Sequence, residues 1–142
     1  MNFEIQFENV KKLNLPNDHF VVVGSGALSV REIRDSKDID VIVTELLWSQ
    51  MIKKYKVGVN SFGVENLELD DDIEILNPAQ SIFGNSEIIP LEEIFKKADV
   101  FDGIRFINLD HLKKFKKELG REKDLKDIDL IDTYIKSRVV LQ

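Results

Sequence analysis

The chain contains no cysteine. That excludes a disulfide scaffold and any cysteine-ligated zinc site. Its two histidines, His19 and His111, stand far apart and in no metal-ligand spacing. Each reads as a surface or strand-end residue rather than a ligand or base. Long hydrophobic runs are absent too. No stretch approaches the roughly 20 apolar residues that a bilayer-spanning helix requires, and the opening Met1-Asn2-Phe3-Glu4 lacks the basic and apolar regions of a signal peptide. Together these absences lead us to expect a cytoplasmic protein with no membrane partner. Positive charge is in deficit: 20 Lys and Arg stand against 26 Asp and Glu, a formal net charge of −6. A surface that grips nucleic acid as a whole is therefore not expected, and there is no DNA-binding signature, although a local basic patch remains open. No linker, repeat or low-complexity tract interrupts the 142 residues, which suit one domain, 1–142, with one core.

What is present is a spaced constellation early in the chain. An apolar run, His19-Phe20-Val21-Val22-Val23, ends at Gly24-Ser25-Gly26. A short amphipathic stretch follows, then Arg34-Asp35-Ser36-Lys37-Asp38-Ile39-Asp40-Val41. Residues two apart on a strand share a face. Asp38 and Asp40 are thus expected side by side at the mouth of a buried sheet, where like charges repel and lose hydration. A divalent cation is the usual offset. The Gly24-Ser25 turn offers backbone N–H groups and a hydroxyl to an anion such as phosphate. Metal plus phosphate is the chemistry of phosphoryl and nucleotidyl transfer.

This segment resembles the nucleotidyltransferase superfamily, the fold of DNA polymerase beta. That signature runs from an apolar residue through Gly and Gly or Ser to Asp-apolar-Asp about a dozen residues later, and Gly24, Ser25, Asp38 and Asp40 fill those places. The local form Arg34-x-Ser36-x-Asp38-Ile39-Asp40 matches a common version. The resemblance implies a third acid on a later strand, and Ile73-Glu74-Ile75 has the expected form. Glu74 is preferred because it lies within an apolar run. Asp70 would share its parity, Asp72 would not, and a solvated edge-strand position for Glu74 stays open. A later basic segment is similar to one in small bacterial nucleotidyltransferases of the antitoxin-like and abortive-infection type. Lys116, Arg121, Lys123, Asp124 and Asp127 fall on its places, against the bland alternative of a solvated helix pair. The resemblance implies NMP transfer from an NTP, ATP first, to an acceptor hydroxyl. Asp38, Asp40 and Glu74 would hold Mg²⁺ or Mn²⁺. Gly24 and Ser25 would contact phosphates, with Arg34, Lys116 and Arg121 as further candidates. Arg34 pairing with Asp35 or another acid is left open. The alternative is a non-catalytic, antitoxin-like binding or regulatory protein. Either way the short chain has no substantial acceptor-binding domain, so a homodimer or a partner protein is expected. A phosphatase-like protein is a weaker option, because Gly24-Ser25 holds the place of its aspartate nucleophile.

Periodicity and capping predict an α/β (α+β) fold, a small mixed sheet with flanking helices plus C-terminal helices, the order the resemblance also implies. Helices are expected over 3–13 with Ile5, Val10 and Leu13 as anchors, 25–33 capped by Ser25, and 44–55 capped by Thr44 with a stripe of Leu46, Leu47, Met51 and Ile52. Further helices are expected over 91–97, 110–119 capped by Asn108 or Asp110 and ended by Gly120, and 125–139 with Leu125, Ile128, Ile131 and Ile135 on one face. Turns are expected at 16–18 and 70–72. Strands are expected over 19–23, 39–43, around Gly63-Val64, over 67–69 and over 73–76. A hairpin is expected about Asp102-Gly103. Trp48 and the phenylalanines read as core.

Overall fold

The computed structural model describes residues 3–69 and 72–140. Asp70 and Asp71 of the expected 70–72 turn lie outside the described residues, as does the side chain of Ile5. Helix α1 (Phe3–Lys12) leads through a 3-10 turn to β1 (Phe20–Val23), α2 (Gly26–Ser29), β2 (Ile39–Val43) and α3 (Glu45–Met51). Then come β3 (Gly58–Val59), β4 (Glu65–Leu69), β5 (Ile73–Leu76), α4 (Leu91–Lys96), β6 (Asp99–Phe101), β7 (Ile104–Phe106), α5 (Leu109–Leu119) and α6 (Glu122–Val140). The strands form one mixed seven-stranded sheet in the order β3-β4-β5-β2-β1-β7-β6. The fold is α+β, with helices on both faces. Among the described residues no helix is long and apolar enough to cross a membrane.

Alternation along the central strands creates two apolar layers. Phe20 and Val22 of β1 and Val41 and Val43 of β2 pack with Val10 of α1 and Leu47, Trp48 and Met51 of α3. Val21, Val23 and Ile42 face the other way, against Leu28 of α2, Ile94 of α4, Leu112 and Phe115 of α5 and Ile131 of α6. β1 is buried on both faces, as its continuous apolar run demands.

Local chemistry sets the boundaries. The Thr44 hydroxyl accepts from Leu47 N at 3.2 Å and starts α3. Asn108, not Asp110, caps α5, accepting from His111 N at 2.7 Å, and Gly120 at φ +62° ends it. Asp102 at φ +50° and Gly103 at φ +80° turn the β6–β7 hairpin, the positive pair that a two-residue connection favours.

Four expectations need correction. The 25–33 helix is one turn, Gly26–Ser29, and Ser25 makes no side-chain cap bond. The 44–55 helix stops at Met51, and its buried stripe is Leu47, Trp48 and Met51, while Leu46 and Ile52 are exposed. Gly63-Val64 is not a strand: Gly63 has φ +76°, and the paired strand is β3 at Gly58–Val59. On α6 the buried stripe runs through Asp124, Asp127, Ile128 and Ile131, and Leu125 is 52% exposed.

Candidate functional site

The antiparallel β1–β2 pair and the parallel β2–β5 pair bring three chain ends to one place. Asp40 pairs with Val23 on one side and with Glu74 on the other. Asp40 and Ile42, like Glu74 and Leu76, alternate on a single sheet face. Ile42 and Leu76 sit in the apolar layer under α4 and α5, so Asp40 and Glu74 stand at its rim. Asp38 precedes the first residue of β2 and is exposed, which places it just outside the strand rather than within it.

A cleft of about 960 Å³ opens over this rim. Asp38, Asp40, Glu74, Gly24, Ser25, Arg34, Lys116 and Arg121 all line it. His19 and His111 do not.

The acids are electrostatically coupled. Burial, then the charge of Glu74, a hydrogen bond to Glu74 and the charge of Asp38 push the Asp40 carboxyl up from 3.8 to about 7. The Lys116 charge opposes this. The Asp40 carboxyl therefore keeps its proton to a higher pH than an ordinary aspartate. The Asn66 amide donates to Glu74 Oε2 at 2.5 Å and Asn60 at 3.1 Å, so Glu74 is held rather than solvated. Asn60 and Asn66 escaped sequence reasoning. Asn66, 3% exposed next to Leu67 on β4, carried no signal that apolar patterning could read.

Gly24 has φ +66°, and a Cβ there would come 3.2 Å from Asp40 Oδ2. Glycine lets the turn lie directly against the acid. The Ser25 hydroxyl accepts from Arg34 Nη2 at 2.8 Å.

The opposite wall comes from α5, α6 and their junction. Asp127, buried on α6, takes a bidentate bond from Arg34 (Nε–Oδ1 2.7 Å, Nη2–Oδ2 2.8 Å). It also meets Lys116 Nζ at 2.8 Å. Arg34 therefore pairs with Asp127, and only its Nη1 reaches Asp35, at the backbone carbonyl. Lys116 is 6% exposed, and its ammonium is also 3.6 Å from Asp124. Asp124, itself buried, accepts from Arg121 N at 3.2 Å and Nε at 2.6 Å, which starts α6. Burial alone would raise both aspartates. Hydrogen bonds from Arg34 and Lys116 to Asp127, and from Arg121 to Asp124 aided by the Lys116 charge, outweigh it and hold both below the usual carboxylate range. Two aspartates thus neutralise two of three cations. Arg34, Lys116 and Arg121 together keep a net positive charge facing Asp40 and Glu74 of the sheet and Asp38 beside them. Lys116 lines the cleft as a buried cation fixed by two aspartates, not as a solvated helix residue.

Among the described residues no group of three or more His, Cys, Asp or Glu forms a ready-made metal cage. The donor set still suits a hard divalent cation. It consists of buried, crowded carboxylate oxygens, which raise the Asp40 carboxyl well above its ordinary value. Compared with known proteins, the chain matches no family model, no curated protein and no solved structure.

Proposed function

We propose that the protein is a metal-dependent nucleotidyltransferase that moves an NMP from an NTP, ATP first, to an acceptor hydroxyl. The reading joins the nucleotidyltransferase resemblance of the sequence to one observation. Asp40 and Glu74 stand in register, with Asp38 beside them, in a cleft whose facing wall carries fixed cations. Asp38, Asp40 and Glu74 would hold Mg²⁺ or Mn²⁺. When bound, the metal would polarise the α-phosphate and neutralise charge on the leaving pyrophosphate.

The chain's own groups supply the rest. The acceptor oxygen attacks the α-phosphorus while the bond to pyrophosphate breaks. The acceptor's proton passes to the acid pair, where Glu74, oriented by Asn60 and Asn66, is the accepting carboxylate. Gly24 permits close approach to the phosphates. Lys116, Arg34 and Arg121, pinned by Asp127 and Asp124, present positive charge without having to reorganise. A charge of −6 with a positive inner wall suits a small anionic substrate better than a nucleic-acid duplex. We place the protein in the cytoplasm, acting as a homodimer or with a partner protein.

A second reading keeps the cleft and drops the reaction: a binding or regulatory protein of the antitoxin-like type. The deciding experiment incubates the protein with each α-labelled NTP, Mg²⁺ or Mn²⁺, and cell lysate as acceptor. Transfer of label by the parent, and none by Asp38→Asn/Asp40→Asn, supports the enzyme. Metal-dependent NTP binding without transfer supports the second reading.

A further inference from the structure

Phe62, expected in the core with the other phenylalanines, is instead 66% exposed, an uncommon setting for that residue. Among the described residues it is the one exposed large apolar side chain that lines the cleft. It sits at the tip of the β3–β4 hairpin, and that tip is rigid. Asn60 Oδ1 accepts from Phe62 N at 2.9 Å and from Val64 N at 3.1 Å. Asn60 N in turn donates to the Val64 carbonyl at 2.9 Å. The amide nitrogen of the same Asn60 donates to Glu74 Oε2. One side chain thus ties the aromatic tip to the acid site. From the other wall, the Arg121 guanidinium lies 5.3 Å from the Phe62 ring centre and is itself held by the buried Asp124.

We propose that Phe62 is the stacking platform for the base of the nucleotide whose phosphates the cleft holds, with Arg121 supporting the ring from behind. The inference rests on the nucleotide reading above. A ring with its backbone held by Asn60, one face met by Arg121 and most of its surface open to water offers a flat apolar face at little ordering cost. Every nucleobase has a complementary face, so the platform selects a planar heterocycle without choosing among bases. Asn60 touches Glu74, and Phe62 is two residues further on, so the backbones of Asn60 and Phe62 lie at most about 7 Å apart, and the Asn60 side chain reaching Glu74 and the Phe62 side chain add to that span. That suits a nucleoside with its phosphates over the acids and its base on the ring. The cation on the ring adds cation–π attraction and orders both groups.

The test compares affinities for ATP, GTP, CTP, UTP and inorganic tripolyphosphate, each with Mg²⁺, in the parent and in Phe62→Ala and Phe62→Trp. Phe62 is exposed, so these variants should fold, and circular dichroism checks that they do. We expect Phe62→Ala to bind every NTP about tenfold or more weaker and tripolyphosphate unchanged. We expect Phe62→Trp to keep NTP affinity, with its added fluorescence quenched by NTPs and not by tripolyphosphate. If Phe62→Ala binds NTPs like the parent, the platform is wrong and the nucleotide reading stands. If the parent binds tripolyphosphate as tightly as any NTP, the platform is again wrong. If the parent binds neither, the nucleotide reading and the platform both fall.

Discussion

Replacing Asp40 by asparagine should make the protein more stable, by an amount that depends on pH. The folded-state carboxyl titrates near 7, against an ordinary value of 3.8. A raised acid pKa means that the folded state holds the proton more tightly. Below 3.8 the group is protonated folded or unfolded and stability is unaffected. Between 3.8 and 7 the unfolded chain releases the proton and the folded one does not, so stability falls as pH rises. Above 7 the full penalty applies, and about three pKa units at ~1.36 kcal/mol each give an upper bound of about 4 kcal/mol. Asparagine keeps the shape and still donates to Glu74, but has no charge to bury. Urea denaturation with EDTA, at pH 4 and pH 8, measures this. At pH 4 the variant and parent should agree within about 0.5 kcal/mol, and at pH 8 the variant should be more stable by about 2–4 kcal/mol. A pH-independent difference, or a less stable variant at pH 8, refutes the reasoning.

Other predictions concern the helix wall and the glycines. Asp127→Ala leaves Arg34 without its buried carboxylate and Lys116 with only the 3.6 Å contact to Asp124, and should destabilise by about 3 kcal/mol by denaturant titration; under 1 kcal/mol would show the network to be unimportant. Since Asp124 and Asp127 have lowered pKa values, the stability they contribute should be present above pH 3.8 and lost as pH falls below it. A thermal melt series from pH 5 to 2 should show that loss diminished in Asp127→Asn. Gly24→Ala meets both φ +66° and Asp40 Oδ2 at 3.2 Å, and should cost about 1–3 kcal/mol in a denaturant titration. Ser36 has a buried hydroxyl with no hydrogen-bond partner, so Ser36→Ala should leave the melting temperature unchanged or higher, and a clear fall would contradict that placement.

The sheet and its acids were legible because their signals are local. Strands 39–43 and 73–76 appear at their expected bounds, and the Asp-Ile-Asp and Ile-Glu-Ile alternations put Asp40 and Glu74 on one face. Asp102-Gly103 and the Thr44 cap carry their own chemistry. The helix wall was legible in its residues, Lys116, Arg121, Asp124 and Asp127, but not in their pairing, because its buried face contains ions. Apolar periodicity picked Leu125 for the α6 stripe, while the fold buries Asp124, held by the nearby Arg121, and Asp127, satisfied by Arg34 from 93 and Lys116 from 11 residues before it. No local pattern announces a long-range ion pair. The same applies to Asn60, whose bond to Glu74 spans a hairpin.

The central claim is that the acid rim and the cationic wall together take a metal–triphosphate. Calorimetric titration of ATP into the protein at neutral pH, with Mg²⁺ or with EDTA, tests it most directly. The account predicts saturable binding that requires the metal, is lost in Asp38→Asn/Asp40→Asn, and persists in a distal variant, Lys54→Ala. Equal binding with and without metal, or binding undiminished in the double variant, would contradict it.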